Sequence, residues 1–502
     1  MTAADAPLPF ALVDEHDRAL AEQVRPAGWR SPRPHDRYDL IAVGGGTAGL
    51  VAAMGAAALG ARAALIERHL LGGDCLNTGC VPSKALLRAA RAAHEARQAG
   101  RFGVHTDVRV KLPGALAWAR EARAQVAPHD AAARIAAAGV HVFFGSGRFI
   151  APDAIEVDGQ QLRFKRALIA SGARPSVPPI PGLQAAGYLT NETVFSLNRE
   201  LRRLAILGAG PVGCELAQAF GRLGVAVTLI DVAARVLPRD DRQASALIAR
   251  VLAAEGITLQ LGARVERVEA GAEKRLYLER AGERAVVAAD EILVAAGRTP
   301  NVEQLGLQAA GVAFEPTGVV VDARLRTSNP RIFAAGDVCS ELKLTHAADA
   351  MARVALQNAL FPLRQRHDAA TIPWCTYTDP EVAHVGLSAE QAERAGHEVL
   401  HVDLKDNDRA IAERDTAGFA RVSITRRGRI VGATLVAGQA GELIGELGLA
   451  MRRGLPIGAL AASLRPYPTR AEIFKALGDA YSRRRLTPRA RALLERYFAW
   501  TR

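Results

Sequence analysis

The 502-residue chain is short of cysteine and of long apolar runs, and it has no leader-like start. Five cysteines at irregular spacing do not make the paired framework of a secreted domain, so the thiols are expected to live reduced. The opening MTAADAPLPF lacks a basic segment followed by an apolar one, so no signal peptide is read there. Together these absences give the expectation of a cytoplasmic protein. No charge-free apolar stretch of about 18 residues occurs, the length a spanning helix needs. The alanine-rich run from Leu50 to Leu65 is broken by Gly55, Gly60 and Arg62.

Acidic residues are also in deficit. Lys and Arg number 64 against 52 Asp and Glu, a net charge of +12, and the sequence pI is about 9.9. Arginine far outnumbers lysine and is spread along the whole chain, whereas a nucleic-acid footprint needs clustering on one face. No nucleic-acid partner is expected. The tail SRRRLTPRARALLERYFAWTR is the exception. There Leu493, Leu494, Tyr497 and Phe498 recur at helical spacing beside Arg489, Arg491 and Arg496. The favoured reading is a terminal helix docked on its own domain; the other is a weak contact with a membrane surface or an acidic partner.

What is present is an internal repeat. From Tyr38 the text YDLIAVGGGTAGLVAAMGAAALGARAALIER reads strand, glycine loop, small-residue helix, strand. Gly44, Gly46 and Gly49 fit G-x-G-x-x-G: the first glycine permits the tight turn, the second lets the backbone approach a pyrophosphate, the third lets helix and strand pack closely. The pattern returns as RLAILGAGPVGCELAQAFGRLGVAVTLID, with Gly208, Gly210 and Gly213 in the same frame. In both copies an acidic residue, Glu67 or Asp231, follows 18 positions after the last glycine, close to the ~20 expected of a ribose-binding carboxylate. Two copies imply two dinucleotides, each with its phosphates on a helix N-terminus.

Each unit is followed by an echo, ALIASGARP with Gly172 and ILVAAGRTPN with Gly297. In TSNPRIFAAGDV a strand-like segment delivers Gly336 and Asp337 to a loop, where a carboxylate can bond a sugar-like hydroxyl. Beyond Phe361 the fingerprints stop, and short strands such as Phe419 to Thr425 alternate with helices. That part reads as a separate α+β domain.

Two of the cysteines stand close together, in GGDCLNTGCVPSK. A structural disulfide between Cys75 and Cys80 closes so short a loop that little chain entropy is removed. A metal site needs further ligands at the right spacing; Cys214, Cys339 and Cys375 are isolated, so no metal is expected. A redox pair remains. In a regular helix residues five apart rise about 7.5 Å, beyond the Cα separation of about 6.8 Å that a disulfide tolerates. The backbone must therefore be distorted between them, and Gly72, Gly73 and Gly79 supply the freedom. Pro82 suits a first helical turn, which places Cys80 near a helix N-terminus, where thiolate is favoured.

Together with GDV and TDPEVAHVG, these motifs resemble the class I pyridine nucleotide-disulfide oxidoreductases over about Tyr38 to Tyr481. Dihydrolipoyl dehydrogenase, glutathione reductase and mercuric reductase belong to that family. The resemblance implies an α/β fold with two Rossmann-like domains, for FAD and NAD(P), and a C-terminal α+β dimerisation domain. The expected organisation is an N-terminal extension 1–37, an FAD domain 38–187 resumed at 301–369, an NAD(P) domain 188–300, and a dimerisation domain with its basic tail at 370–502. FAD is assigned to Gly44, Gly46, Gly49, Glu67, Gly172 and Asp337. The second fingerprint and Gly297 go to the nicotinamide nucleotide. In the family the flavin-side cysteine, here Cys80, forms a charge-transfer thiolate, and the outer one, here Cys75, attacks the substrate. Lys84 matches the lysine beside the flavin, Glu215 the glutamate near the nicotinamide, and His346 the residue opening the helix that faces the flavin. A homodimer is implied, with a small-molecule electron acceptor.

NADH is the expected donor, because the Asp231 carboxylate would repel a 2′-phosphate; Arg235, four residues on, pulls the other way. The family's disulfide reductases carry a histidine base near the C-terminus, where RPYPTRAEIF has Tyr467 and keeps Glu472. A phenol of pKa about 10 is a poor base at neutral pH. Mercuric reductases share the tyrosine but end in a cysteine pair, whereas no cysteine follows Cys375. The expected activity is hydride transfer through FAD and the Cys75–Cys80 pair to a disulfide, a thiol-bound metal or another small acceptor. The alternatives are a quinone or metal-ion reductase that bypasses the cysteines, and a non-enzymatic redox-sensing module.

Overall fold

The computed structural model describes residue 8 and residues 10–502; most of the opening MTAADAPLPF, on which the signal-peptide expectation rests, falls on residues 1–7 and 9, outside the described residues. The chain divides into two compact units, residues 1–234 with 255–367, and residues 235–254 with 368–502.

The first unit holds both glycine fingerprints. Its larger sheet has a parallel layer in the order Val140–Phe144, Ala63–Glu67, Tyr38–Val43, Gln160–Ile169, with Ile332–Ala334 on the far side of Gln160–Ile169. The central strands Tyr38–Val43 and Ala63–Glu67 read as near-continuous apolar runs because both faces are covered; Leu40, Ile41, Ala42 and Leu65 are buried. The helix Thr47–Ala58 is built from alanine and glycine because it lies almost on the strand. A Cβ on Gly49 would fall 1.8 Å from the Gly44 carbonyl oxygen. The second sheet is also parallel, in the order Thr258–Leu261, Ala226–Asp231, Arg203–Leu207, Glu291–Val294. The two echo segments pair with each other, Ala173–Pro175 running antiparallel to Arg298–Pro300.

The N-terminal extension is part of the core of this unit. Helix Glu15–Val24 buries Leu20 and Val24 in one cluster with Leu65, Leu71 and Leu76. Trp29 donates its indole N–H to the Val142 carbonyl at 3.1 Å.

The second unit is α+β. Its antiparallel sheet runs Trp374–Thr376, Glu381–Gly386, Ile430–Ala437, Phe419–Ile424, Glu398–Asp403. Helix Ala440–Arg453 turns Ile444, Leu447 and Ala450 inward. Helix Arg242–Ala254 groups with this unit; beside it the buried Asp241 pairs with Arg421 at 2.7 Å. One expectation is corrected here. The tail does form a helix, Pro488–Thr501, but no residue of it is buried and Trp500 is 84% exposed. The docked arrangement is therefore not seen: no part of the helix is covered among the described residues. Among the described residues no helix is long and apolar enough to cross a membrane.

Candidate active site

The chain breaks its helix between the two cysteines. Cys75 lies in the short helix Gly73–Asn77, Thr78 ends it, and Cys80 opens the long helix Cys80–Gln98. Gly72 and Gly73 have φ of +86° and +58°, a left-handed turn that side chains disfavour. The Cys80 sulfur lies 3.2 Å from the Thr345 hydroxyl, and the two thiols are close enough to titrate as a pair.

That geometry separates the two thiols chemically. The pKa of Cys80 is lowered to about 6, first by the hydrogen bond from Cys75 and then by Thr345 and the Lys84 charge, against burial and Asp74. Cys75 moves up from the ordinary thiol value, through its bond to Cys80 and through burial. At neutral pH the dithiol is therefore a Cys80 thiolate beside a Cys75 thiol.

The loop between them is held at many points. The Thr78 hydroxyl donates to Asp74 at 2.5 Å, and Asn191 donates to both the Asp74 carboxylate and the Thr78 carbonyl. Arg298 reaches Asp74 at 2.7 Å and stands 3.6 Å from Asp337, whose carboxyl burial pushes up. Lys84 and Glu215 form an ion pair at 2.8 Å, which brings two residues assigned to different nucleotides together. His346 follows Thr345 in the first turn of helix Thr345–Leu360. Sequence reasoning missed Thr345 and Asn191, which no local motif marks, and Asp74 and Arg298, which lie inside the motifs GGDCLNTGCVPSK and ILVAAGRTPN but carry no spacing that points at the cysteines.

Both fingerprints are prepared for a dinucleotide. Gly44 and Gly208 have φ of +113° and +111°, and a Cβ on either would meet a carbonyl oxygen, of Ala170 at 2.2 Å or of Ala295 at 2.4 Å. The helices that follow start at Gly46 and Gly210 without a side-chain cap, which leaves first-turn N–H groups for phosphate. Glu67 accepts from Gly45 N–H and His69 N–H, both at 2.6 Å, and is pushed up by burial. Asp231 repeats the arrangement with Ala209 N–H at 2.6 Å and Ala233 N–H at 2.7 Å. Each carboxylate keeps acceptor capacity for a ribose hydroxyl. The residues present thus fit a dinucleotide at each copy, and the family's FAD and pyridine nucleotide are the two that such a pair of turns would hold.

In the second unit Tyr467 is 70% exposed, and its hydroxyl donates to Asp408 at 2.8 Å. That bond raises the phenol pKa further. Glu472 opens the helix Glu472–Arg485. Among the described residues no group of three or more His, Cys, Asp or Glu is placed to hold a metal ion.

Two dinucleotide turns in one unit, with a thiolate–thiol pair between helices, define a redox enzyme that moves electrons between nucleotide and sulfur. Comparison with known proteins names the class. The pyridine nucleotide-disulphide oxidoreductase family matches residues 38–352, and its dimerisation domain matches residues 372–477. The chain belongs to this family: it is an NAD(P)H-dependent flavin disulfide oxidoreductase with the family's dimerisation domain. Mercuric reductase of Bacillus cereus is 37% identical over 87% of this chain and 70% of its own length. Dihydrolipoyl dehydrogenase of Thermus scotoductus is 34% identical over 87% of this chain and 95% of its own. The Cu(II) complex of the HOCl-induced flavoprotein disulfide reductase RclA from Escherichia coli superimposes with a TM-score of 0.79 at 28% identity, covering 89% of this chain and all of that one.

Proposed function

We propose that the enzyme uses Cys75 and Cys80 to pass electrons from NADH to thiol-bound metal ions or quinones, and that lipoamide and oxidised glutathione are poor substrates. A bound FAD supplies the two-electron relay between nicotinamide and sulfur. Opening the Cys75–Cys80 disulfide takes up two electrons and one proton, leaving one thiol and one thiolate. The upward shift of Cys75 and the downward shift of Cys80 assign the proton to Cys75. Thr345 and Lys84 stabilise the Cys80 anion. Glu215 holds Lys84 in place.

The reading of the acceptor rests on one observation, the Tyr467–Asp408 hydrogen bond. A substrate disulfide releases a thiolate that must be protonated, a step to which a positioned imidazole contributes ~10²- to 10⁴-fold. A phenol whose proton is held by a carboxylate and whose pKa is raised does not shuttle it at neutral pH. Metal ions leaving thiol ligands in excess, and quinones, do not require that step. Similarity to mercuric reductases supports the same choice. For the donor, the Arg235 guanidinium is engaged by the carbonyls of Asp240 and Pro238, which leaves Asp231 to set the preference for NADH.

The test is steady-state NADH oxidation by the holoenzyme with lipoamide, glutathione disulfide, a benzoquinone, and Hg(II) or Cu(II) in excess thiol. Lipoamide and glutathione disulfide should turn over at least about 100-fold more slowly than the other acceptors, and Tyr467→His should recover part of that loss. Wild-type lipoamide reduction at kcat/KM of order 10⁵ M⁻¹s⁻¹ or above would overturn the assignment of Tyr467.

A further inference from the structure

The helix Glu15–Val24 lies ahead of the family match, which begins at Tyr38, yet it reaches the redox loop twice. At its C-terminal end the Val24 carbonyl accepts from Leu71 N–H at 3.3 Å, just before the Gly72–Gly73 turn. In its first turn Asp17, fully buried, pairs at 2.5 Å with Nη2 of Arg123, which is also fully buried. The other arm of that guanidinium, Nη1, donates to the Asn77 carbonyl at 2.5 Å. Asn77 stands between the two cysteines, and its side-chain amide donates to the carbonyls of Leu71 and Gly73. One peptide unit of the loop is therefore clamped on both sides, immediately ahead of the break that turns Cys80 toward Cys75. Val13 N–H bonds the second oxygen of Asp17 at 2.9 Å, and Phe10 lies under the guanidinium with its ring centroid 4.6 Å away. Among the described residues the side chains of Asp17 and Arg123 hydrogen-bond only each other, Val13 N–H and the Asn77 carbonyl, a costly arrangement for two buried charges.

We infer that Asp17 and Arg123 are positioning residues for the redox pair: the N-terminal helix braces the Asn77 carbonyl and so holds Cys75 and Cys80 at the separation that favours their disulfide. Loosening the brace lets the loop spread, lowers the effective concentration of one sulfur at the other, and shifts the equilibrium toward the dithiol. The neighbouring pair supplies the control. Asp14 bonds Arg120 at 2.6 Å, and Arg120 donates to the carbonyls of Phe195 and Leu197, not to the loop. Asp14→Asn loosens the same helix without touching Asn77.

The experiment equilibrates the holoenzyme anaerobically with mixtures of reduced and oxidised dithiothreitol, which gives up two thiol hydrogens as the Cys75–Cys80 bond opens. Acid quenching, differential alkylation and peptide mass spectrometry then count the two thiols. Asp17→Asn and Arg123→Lys should each lower the constant for disulfide formation about tenfold, the worth of a hydrogen bond to a charged group. Asp14→Asn should stay within about twofold of wild type, whatever it does to the melting temperature. Where Asp17→Asn gives no folded protein, Arg123→Lys decides alone, since a point charge keeps the partner of Asp17 but not the two-armed bridge. An unchanged constant in the variants of Asp17 and Arg123, or an equal shift in Asp14→Asn, would show that the helix serves stability only.

Discussion

The two glycine fingerprints are nearly the same object in different surroundings. Gly46 and Gly210 sit at φ/ψ of −80°/−172° and −74°/−174°, and the third glycine of each lies 1.8 Å in Cβ terms from the carbonyl of the first. What differs is the roof. Over the first copy lies the cysteine loop: Gly72 N–H donates to the Gly45 carbonyl at 2.9 Å, and a Cβ on Gly73 would come within 2.6 Å of Gly46 Cα. A Cβ on Gly210 would meet nothing within 4 Å beyond its own turn and helix, and the neighbouring Val212 and Val232 are 45% and 71% exposed. One turn thus serves two tenancies. The contrast gives the expectation that a nucleotide at the first copy is held more tightly than one at the second, which the following variants test.

The largest effect should come from putting a methyl group on the shared turn. Gly44→Ala combines a φ of +113° with a contact of 2.2 Å to backbone, a strain of about 3 kcal/mol or more. It should give protein that is unfolded or free of flavin. Gly208→Ala carries the same local strain at the open copy. It should purify with its flavin and lose at least about 100-fold in the rate of reduction by NADH. Flavin absorbance and stopped-flow reduction measure both, and a fully flavinated Gly44→Ala enzyme breaks the contrast.

A middle-sized effect sharpens the contrast from the roof itself. In the reduced enzyme, alkylation of Cys80 by iodoacetamide should follow a midpoint near pH 6 and be lost below it, as the thiolate takes up its proton. Because the bond from Cys75 is the first cause of that low value, Cys75→Ala should move the midpoint up by at least about one pH unit toward the ordinary thiol value near 8.5. A wild-type midpoint near 8.5 would remove the thiolate from the mechanism.

The smallest effect concerns the open copy. NADH should exceed NADPH in kcat/KM by at least about tenfold, and Asp231→Asn should bring the ratio to within about threefold of unity, since only charge repulsion of a 2′-phosphate is removed. A tenfold advantage for NADPH in the wild type overturns the role given to Asp231.

Much of this was legible in the sequence because backbone sterics write residue identity directly. Only glycine tolerates the left-handed turn at Gly44 and Gly208, so the fingerprints are local and readable. The distorted backbone between Cys75 and Cys80 followed from helix rise alone. The rest was hidden because it depends on contacts between distant residues without a shared local pattern. Thr345 meets Cys80 from a helix 265 positions away, and Arg123 joins Asp17 across 106. The terminal helix was readable as a helix from its periodicity, but whether a surface covers it is a property of the whole fold, and among the described residues none buries it. The placement of Arg242–Ala254 with the second unit had no signal, since an amphipathic helix does not declare its partner.

The strand Ile332–Ala334 completes the first sheet beside Gln160–Ile169, and this orders events during synthesis. Roughly 160 residues separate the two strands, which at 5 to 20 residues per second is about 10 to 30 s on the ribosome. Throughout that interval the nascent chain carries an unpaired apolar edge at Ala167, Leu168 and Ile169. The second sheet has all its strands between Arg203 and Val294, so it can close while the first still waits. The nucleotide-binding half that comes second in the sequence is the half that is finished first.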